Sequence, residues 1–130
     1  MANEIQPQRL GSIVEASIVA YNAKDFDRYR GFLASEFYFC HYNRGFDHTD
    51  PDEFIATLKL FADQLMPDRQ IGPAIRLLET DNTVVRVHRW GGTATADIPG
   101  MGQAGDVLGL DLCTLYVFRD DKIAEYHDYG

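Results

Sequence analysis

The feature that most constrains this chain is one change in the spacing of its apolar residues, at Pro67. Before it, apolar side chains recur every three or four positions; after it, every second one. Leu10, Ile13, Val14, Ser17, Ile18 and Tyr21 share one side of a predicted helix that opens at Pro7. Asn22-Ala23-Lys24-Asp25 ends that helix, and Asp25 can cap a short second one through Phe26, Tyr29, Phe32 and Leu33. The stretch Glu36 to Tyr42, rich in Phe and Tyr and bounded by Asn43-Arg44-Gly45, reads as a strand entering a tight turn. Asp50-Pro51-Asp52-Glu53 starts a third helix, with an N-cap acid, proline at the first helical position and acids in the first turn. Phe54, Leu58, Phe61 and Leu65 form its apolar stripe.

Beyond Pro67 the segments 71–80, 83–97, 105–119 and 122–129 read as strands. Asp81-Asn82 and Asp120-Asp121 suit compact hairpin turns, and Ile98-Pro99-Gly100-Met101-Gly102 a longer loop. Helices followed by a run of long strands predict an α+β fold. Three helices can cover one face of a twisted, curling sheet but cannot fill its hollow, so a single apolar pocket is expected. At 130 residues and 14.7 kDa, residues 1–130 form a single domain with a core of its own.

Charge narrows the partners. Twelve basic residues stand against 20 acidic ones, for a net charge of −8, and the Lys and Arg are scattered singly. Without a concentrated basic stripe, nucleic acid and anionic membrane surfaces are excluded as partners. No apolar run is long enough to span a bilayer, and no basic-then-apolar leader is visible, so a cytoplasmic location is expected. Cys40 and Cys113 lie in apolar stretches and are predicted to be reduced, buried thiols. There is no glycine-rich phosphate loop and no nucleophile elbow, and His41, His48, His88 and His127 never fall at i, i+4 spacing. Neither a metal nor a cofactor is expected. Chemistry in such a chain would be proton transfer in an apolar cleft.

Several segments, in order, resemble a known family. They are Tyr21-Asn22-Ala23-Lys24-Asp25-Phe26, then Gly92-Thr93, Ile98-Pro99-Gly100 and Ala104-Gly105, and finally the run from Val117-Phe118-Arg119 to His127-Asp128-Tyr129. Together they are similar to SnoaL-like polyketide cyclase domains of the nuclear-transport-factor-2-like superfamily, over nearly the whole chain. The resemblance implies a cone of curved, mixed sheet wrapped round a long N-terminal helix, with an apolar pocket at its open end. It also implies a range of activities, among them ring cyclases, ketosteroid isomerases, dehydratases and epoxide hydrolases, so that fold alone does not settle function.

The same resemblance nominates site residues. His41 lies on the strand where the isomerases carry a general-base aspartate, and its imidazole suits proton transfer at neutral pH. The isomerases' oxyanion tyrosine corresponds to Ser17, which moves that role toward Tyr21, one helical turn away. Their protonated aspartate corresponds to Thr114, flanked by Leu112 and Tyr116, which disfavours steroid isomerisation in its usual form. In the cyclase-like members an aspartate of the closing strand is the acid–base group, and Asp128 resembles it. Asp128 shares its face with Ala124 and Tyr126 by alternation. The expected catalytic set is therefore His41, Asp128 and Tyr21. The expected substrate contacts are Ser17, Leu58, Val87, Arg89, Thr114, Tyr116 and Tyr126, with Phe37 as the alternative to His41 in the lining.

One parity stays open. Arg86, His88 and Trp90 share one face of their strand, and Val85, Val87 and Arg89 the other. Placing the more apolar set inward brings Arg89 to the pocket mouth and makes Arg86, His88 and Trp90 an outer stripe, suited to a homodimer contact. The opposite parity makes His88 a pocket histidine in place of His41. Two functions compete. One is a cofactor-free cyclase, isomerase or dehydratase of a small apolar, oxygen-bearing, enolisable molecule. The other is a non-catalytic ligand-binding or dimerisation module of the same fold. Epoxide hydrolysis ranks last, because Arg89, Asp111 and Asp128 cannot all face inward.

Overall fold

The computed structural model describes residues 9–130, so the predicted helix start at Pro7 lies outside the described residues. Helix α1 (Arg9–Asn22) buries Leu10, Val14, Ser17, Ile18 and Tyr21, the stripe read from the sequence. Its first-turn amides of Leu10 and Gly11 donate to the Glu79 carboxylate at 3.3 and 2.8 Å, so an acid from a distant strand closes the helix N-terminus. Helix α2 (Phe26–Arg30) starts at Asp25, whose side chain accepts from the Arg28 amide. It ends earlier than predicted: Leu33 opens strand β1 (Leu33–His41). A short strand β2 (Phe46–His48) folds back on β1 and has no counterpart in the sequence reading. Helix α3 (Pro51–Leu60) begins at the Asp50 cap and widens into a π-helical turn, Phe61–Leu65. No helix among the described residues is long and apolar enough to cross a membrane.

The remaining strands are β3 (Gln70–Ile71), β4 (Arg76–Thr80), β5 (Thr83–Thr93), β6 (Val107–Arg119) and β7 (Lys122–Tyr129). The predicted strand 71–80 breaks between β3 and β4, where Gly72 and Pro73 intervene. All seven strands form one curved, unclosed sheet in the order β2-β1-β7-β6-β5-β3, with β4 also beside β5. β1 and β7 run parallel and the other pairs antiparallel, which makes the sheet mixed. Asp120 and Asp121, with φ of 54° and 61°, form the two-residue turn predicted between β6 and β7. Near the far end of β5, a Cβ on Gly92 would stand 2.7 Å from Asp68 Oδ1 and 2.9 Å from Arg69 Cα. That close approach seats Arg69 beneath α1.

The concave face carries the core. Phe37, Phe39 and His41 of β1, Ala124, Tyr126 and Asp128 of β7, and Leu112, Thr114, Tyr116 and Phe118 of β6 all point inward and are buried. On β5 the inward set is Val84, Arg86, His88 and Trp90, opposite to the parity favoured by apolar content. The cause lies on α1. Arg86, 1% exposed, is gripped by both carboxylate oxygens of Glu15 at 2.7 and 3.2 Å and donates to the Gly72 carbonyl at 3.1 Å. Val85 and Val87 are left on the convex face with Arg89, which is exposed and paired with Asp111. The outer-stripe contact expected of Arg86, His88 and Trp90 therefore cannot use those side chains, because they are spent inside the subunit. Cys40 and Cys113 are free and half-buried on the convex face rather than in the core.

Truncating one partner of a buried ion pair strands the other charge, whereas replacing the buried cation by an apolar isostere does not. Glu15→Ala should thus cost about 2 kcal/mol, reduced by the partial exposure of Glu15, and Arg86→Met clearly less. Urea denaturation of both variants checks this ordering.

Candidate functional site

Helices and sheet enclose an apolar cavity of about 80 Å³, room for several waters. Tyr21 of α1, Phe54, Thr57, Leu58 and Phe61 of α3 and its π turn, and Phe39, His41, Ile71, Trp90, Leu110, Leu112, Tyr126 and Asp128 of the sheet bound it. It opens toward a wider mouth of about 430 Å³ formed by the turn at 43–46, His48, Thr57 and the loop 98–101. Arg44, Phe46, Thr57, Phe61 and Met101 belong to both walls, so the two spaces are continuous.

The sheet register lays a polar row beneath this cavity. His41 lies opposite Asp128, Asp128 opposite Thr114, and Thr114 opposite Arg86, all on the inward side. Thr114 donates its hydroxyl to Asp128 Oδ1. Asp128 is 5% exposed, and burial raises its pKa from 3.8 to about 6, with the Thr114 hydrogen bond pulling the other way. His41 is also buried, and neither ring nitrogen has a protein partner. Burial, and then the charge of Arg44, lowers its pKa, so the imidazole is neutral at neutral pH and offers one donor and one acceptor. On the facing helix, the Tyr21 hydroxyl accepts from Trp90 Nε1 at 2.8 Å, which leaves its own proton for an acceptor in the cavity.

Tyr21, His41, Leu58, Tyr126 and Asp128 thus meet around one space, as the sequence reading expected of them. Thr114 reaches it only through Asp128. Ser17 is fully buried and donates to the Val14 carbonyl at 2.6 Å, a bond within its own helix. Tyr116 packs behind Tyr126, ring centroids 4.9 Å apart, and Phe37 packs on Phe54. Val87 and Arg89 lie on the convex side, so their assignment as substrate contacts is corrected by the β5 parity. His88 does face inward but sits outside the cavity lining, next to Arg86, which leaves His41 as the cavity histidine. Arg44 and Met101, from a turn and a loop, carry no periodic signal and are absent from the expected lining; Trp90 enters it through the second of the two β5 parities.

The fold, an open cone of sheet around one long helix, is shared with solved nuclear-transport-factor-2-like proteins. A family model for SnoaL-like polyketide cyclases matches residues 12–130, and the chain belongs to that family. Among solved structures it is similar to a candidate polyketide cyclase from Xanthomonas campestris, with 20% identity, TM-score 0.81 and coverage of 95% of this chain and 90% of that one. A SnoaL-like polyketide cyclase from Agrobacterium tumefaciens shares 21% identity at TM-score 0.74, covering 94% and 91% of the two chains. A Catenulispora acidiphila protein of ketosteroid isomerase-like fold, solved with trimethylamine, shares 15% identity at TM-score 0.72, covering 91% and 84%. At these identities the likeness shows the fold. No curated protein matches the sequence.

The buried ionisable groups make opposing demands on stability. Asp128 has a folded-state pKa raised to about 6, so the folded protein holds its proton more tightly. Its contribution therefore falls by about 3 kcal/mol as pH rises from 4 through 6. His88, lowered to about 4 by burial and by Arg86, works in the other sense: its contribution is lost as pH falls from 6.5 toward 4. His41 is lowered too and adds to the His88 side. Denaturation between these limits should show partial cancellation in the native sequence. Asp128→Asn should become steadily more stable as pH rises across the window, and His88→Gln should shift the slope the opposite way.

Proposed function

We propose that this protein binds a small, largely aromatic carbonyl compound and moves a proton on it, as a cofactor-free cyclase, isomerase or dehydratase, with Asp128 as the acid–base group. One observation carries the reading. The only carboxylate among the described residues lining the cavity is desolvated, is held by a single hydroxyl on one oxygen, and is raised into the range useful near neutral pH. Above its pKa the carboxylate can take a proton from the carbon beside a ligand carbonyl. The electron pair moves into the carbonyl oxygen, which the Tyr21 O–H can meet with its free proton. Asp128 then returns the proton, either to another carbon of the enolate in an isomerisation or to the alkoxide left when the enolate carbon closes on a second carbonyl. In this reading the neutral His41, with both ring nitrogens free of protein partners, donates to the same oxygen or passes the proton onward. Trp90 orders Tyr21 without consuming its proton. The names of the structural relatives point the same way.

Exchange of the α-protons of 2-tetralone for deuterium, followed by NMR, tests the proton transfer itself. The rate should rise with pH through about 6, the pKa of Asp128. Asp128→Asn should reduce it by roughly 10²- to 10⁴-fold, and Tyr21→Phe by about 10²-fold. If Asp128→Asn exchanges as fast as the native protein, or if the native protein binds 2-tetralone without exchange, the binding-module reading replaces this one.

A further inference from the structure

We infer that the ligand is an anion: a flat aromatic carboxylate whose negative group is held by Arg44 at the mouth while its rings fill the cavity above Asp128. This rests on the cavity being the ligand site, and goes beyond that reading by assigning the ligand's charge and the residue that selects it.

Three arginines are drawn into or against the protein's interior, and their partners differ. Arg86 has the Glu15 carboxylate. Arg69 lies over the Tyr21 and Phe26 rings, 4.4 and 5.7 Å from their centroids, and donates to the Tyr21 carbonyl; its Nε and Nη1 have no hydrogen-bond partner, but it stands outside the lining of cavity and mouth. Arg44 borders both the cavity and its mouth, and among the described residues no carboxylate pairs with it. Its Nε is buried without a hydrogen-bond partner. The chain carries 20 acids against 12 bases, yet among the described residues not one acid lines the mouth. The cavity's own acid, Asp128, is engaged by Thr114.

Arg44 is also held in place. The amides of Arg44 and Gly45 both donate to the His41 carbonyl, at 3.2 and 2.9 Å. Gly45 takes the φ of 70° that closes the turn, and the Asn43 side chain donates to the Gly130 carbonyl at 3.0 Å. A guanidinium fork set on a fixed turn matches a carboxylate through two parallel hydrogen bonds. A neutral ligand covering the mouth would strip water from that cation without supplying an opposite charge, which penalises it relative to the anion. The rings of Phe39, Phe46, Phe54, Phe61, Trp90 and Tyr126 offer faces and edges for a flat aromatic body.

The test is calorimetric titration with 2-naphthoate and its neutral isostere 2-naphthamide at neutral pH. The native protein should bind the carboxylate at least about tenfold more tightly, with the margin shrinking at high salt. Arg44→Gln should abolish the preference, Arg44→Lys should retain part of it, and Arg89→Gln on the convex face should leave it intact, with melting temperatures confirming that each variant is folded. Equal binding of the two probes, a preference that survives Arg44→Gln, or no binding of either probe at millimolar concentration overturns the inference. Asp128→Asn separates it from the proposed chemistry. If that variant still exchanges protons, the acid–base role fails while an Arg44-dependent preference for naphthoate stands. If exchange is lost but the native protein does not discriminate the probes, the reverse holds.

Discussion

The ion pair between Glu15 and Arg86 decides which side of β5 looks inward, and the site depends on that choice. In a strand one buried side chain commits every second residue, so fixing Arg86 against α1 also turns Val84, His88 and Trp90 toward the helices. The antiparallel register then sets Thr114 of β6 opposite Arg86, Asp128 of β7 opposite Thr114, and His41 of β1 opposite Asp128. A slip of one residue would send Thr114 or Asp128 to the convex face. A salt bridge under the helix thus aligns an acid two strands away with the cavity.

Satisfaction of the polar groups along that row is uneven, though buried groups outside the cavity, the His88 nitrogens among them, are unpaired too. At the helix-covered end, Arg86 has two carboxylate oxygens and a carbonyl. In the middle, Thr114 and Asp128 serve each other. At the open end, the His41 nitrogens and the Arg44 Nε have no protein partner. Buried polar groups left in that state cost stability unless water or a ligand completes them. The same desolvation disfavours the charged form of Asp128 and makes it a stronger base than an exposed carboxylate. The fold gives up stability at the position where the proposed reaction would use a proton acceptor of moderate strength.

Much of this was legible in the sequence, for identifiable reasons. The change of period at Pro67, the Asp25 and Asp50 caps and the turn at Asp120-Asp121 are local signals, and each element formed where they placed it. On β1, β6 and β7 the inward face is also the more apolar or aromatic face, so Tyr126 and Asp128 could be put on it by alternation alone. β5 defeated that logic because valines occupy one side and a tryptophan the other, and the charge that breaks the tie is met by Glu15, 71 residues away in the chain. The resemblance to the SnoaL-like family supplied the cone and nominated Asp128, but not Arg44, which a turn delivers. The break at Gly72 and Pro73 and the π-helical turn after Leu60 arise from how segments dock, which periodicity does not record.

That π turn explains why the cavity has a firm wall at the end of α3. Widening the last turn brings Phe61 over Trp90, ring centroids 6.2 Å apart in an edge-on arrangement, while the ring still borders the hollow. Met66, Ala94 and Ile98 form a second small core behind it, with Phe61, Leu65, Trp90 and Met101 packed around them. Thr95 ties this unit to the turn by donating its amide to the Leu65 carbonyl at 2.8 Å, and Ile98 and Gly102 bridge across the loop. The rim carrying Met101 is therefore fastened to α3, whereas Arg44 belongs to the β1–β2 turn and Asp128 to the closing strand. The shape, charge and proton-transfer roles proposed for these groups thus fall on three separately supported elements. Changes in loop 98–102 can therefore alter which ring system fits without disturbing the acid or the cation.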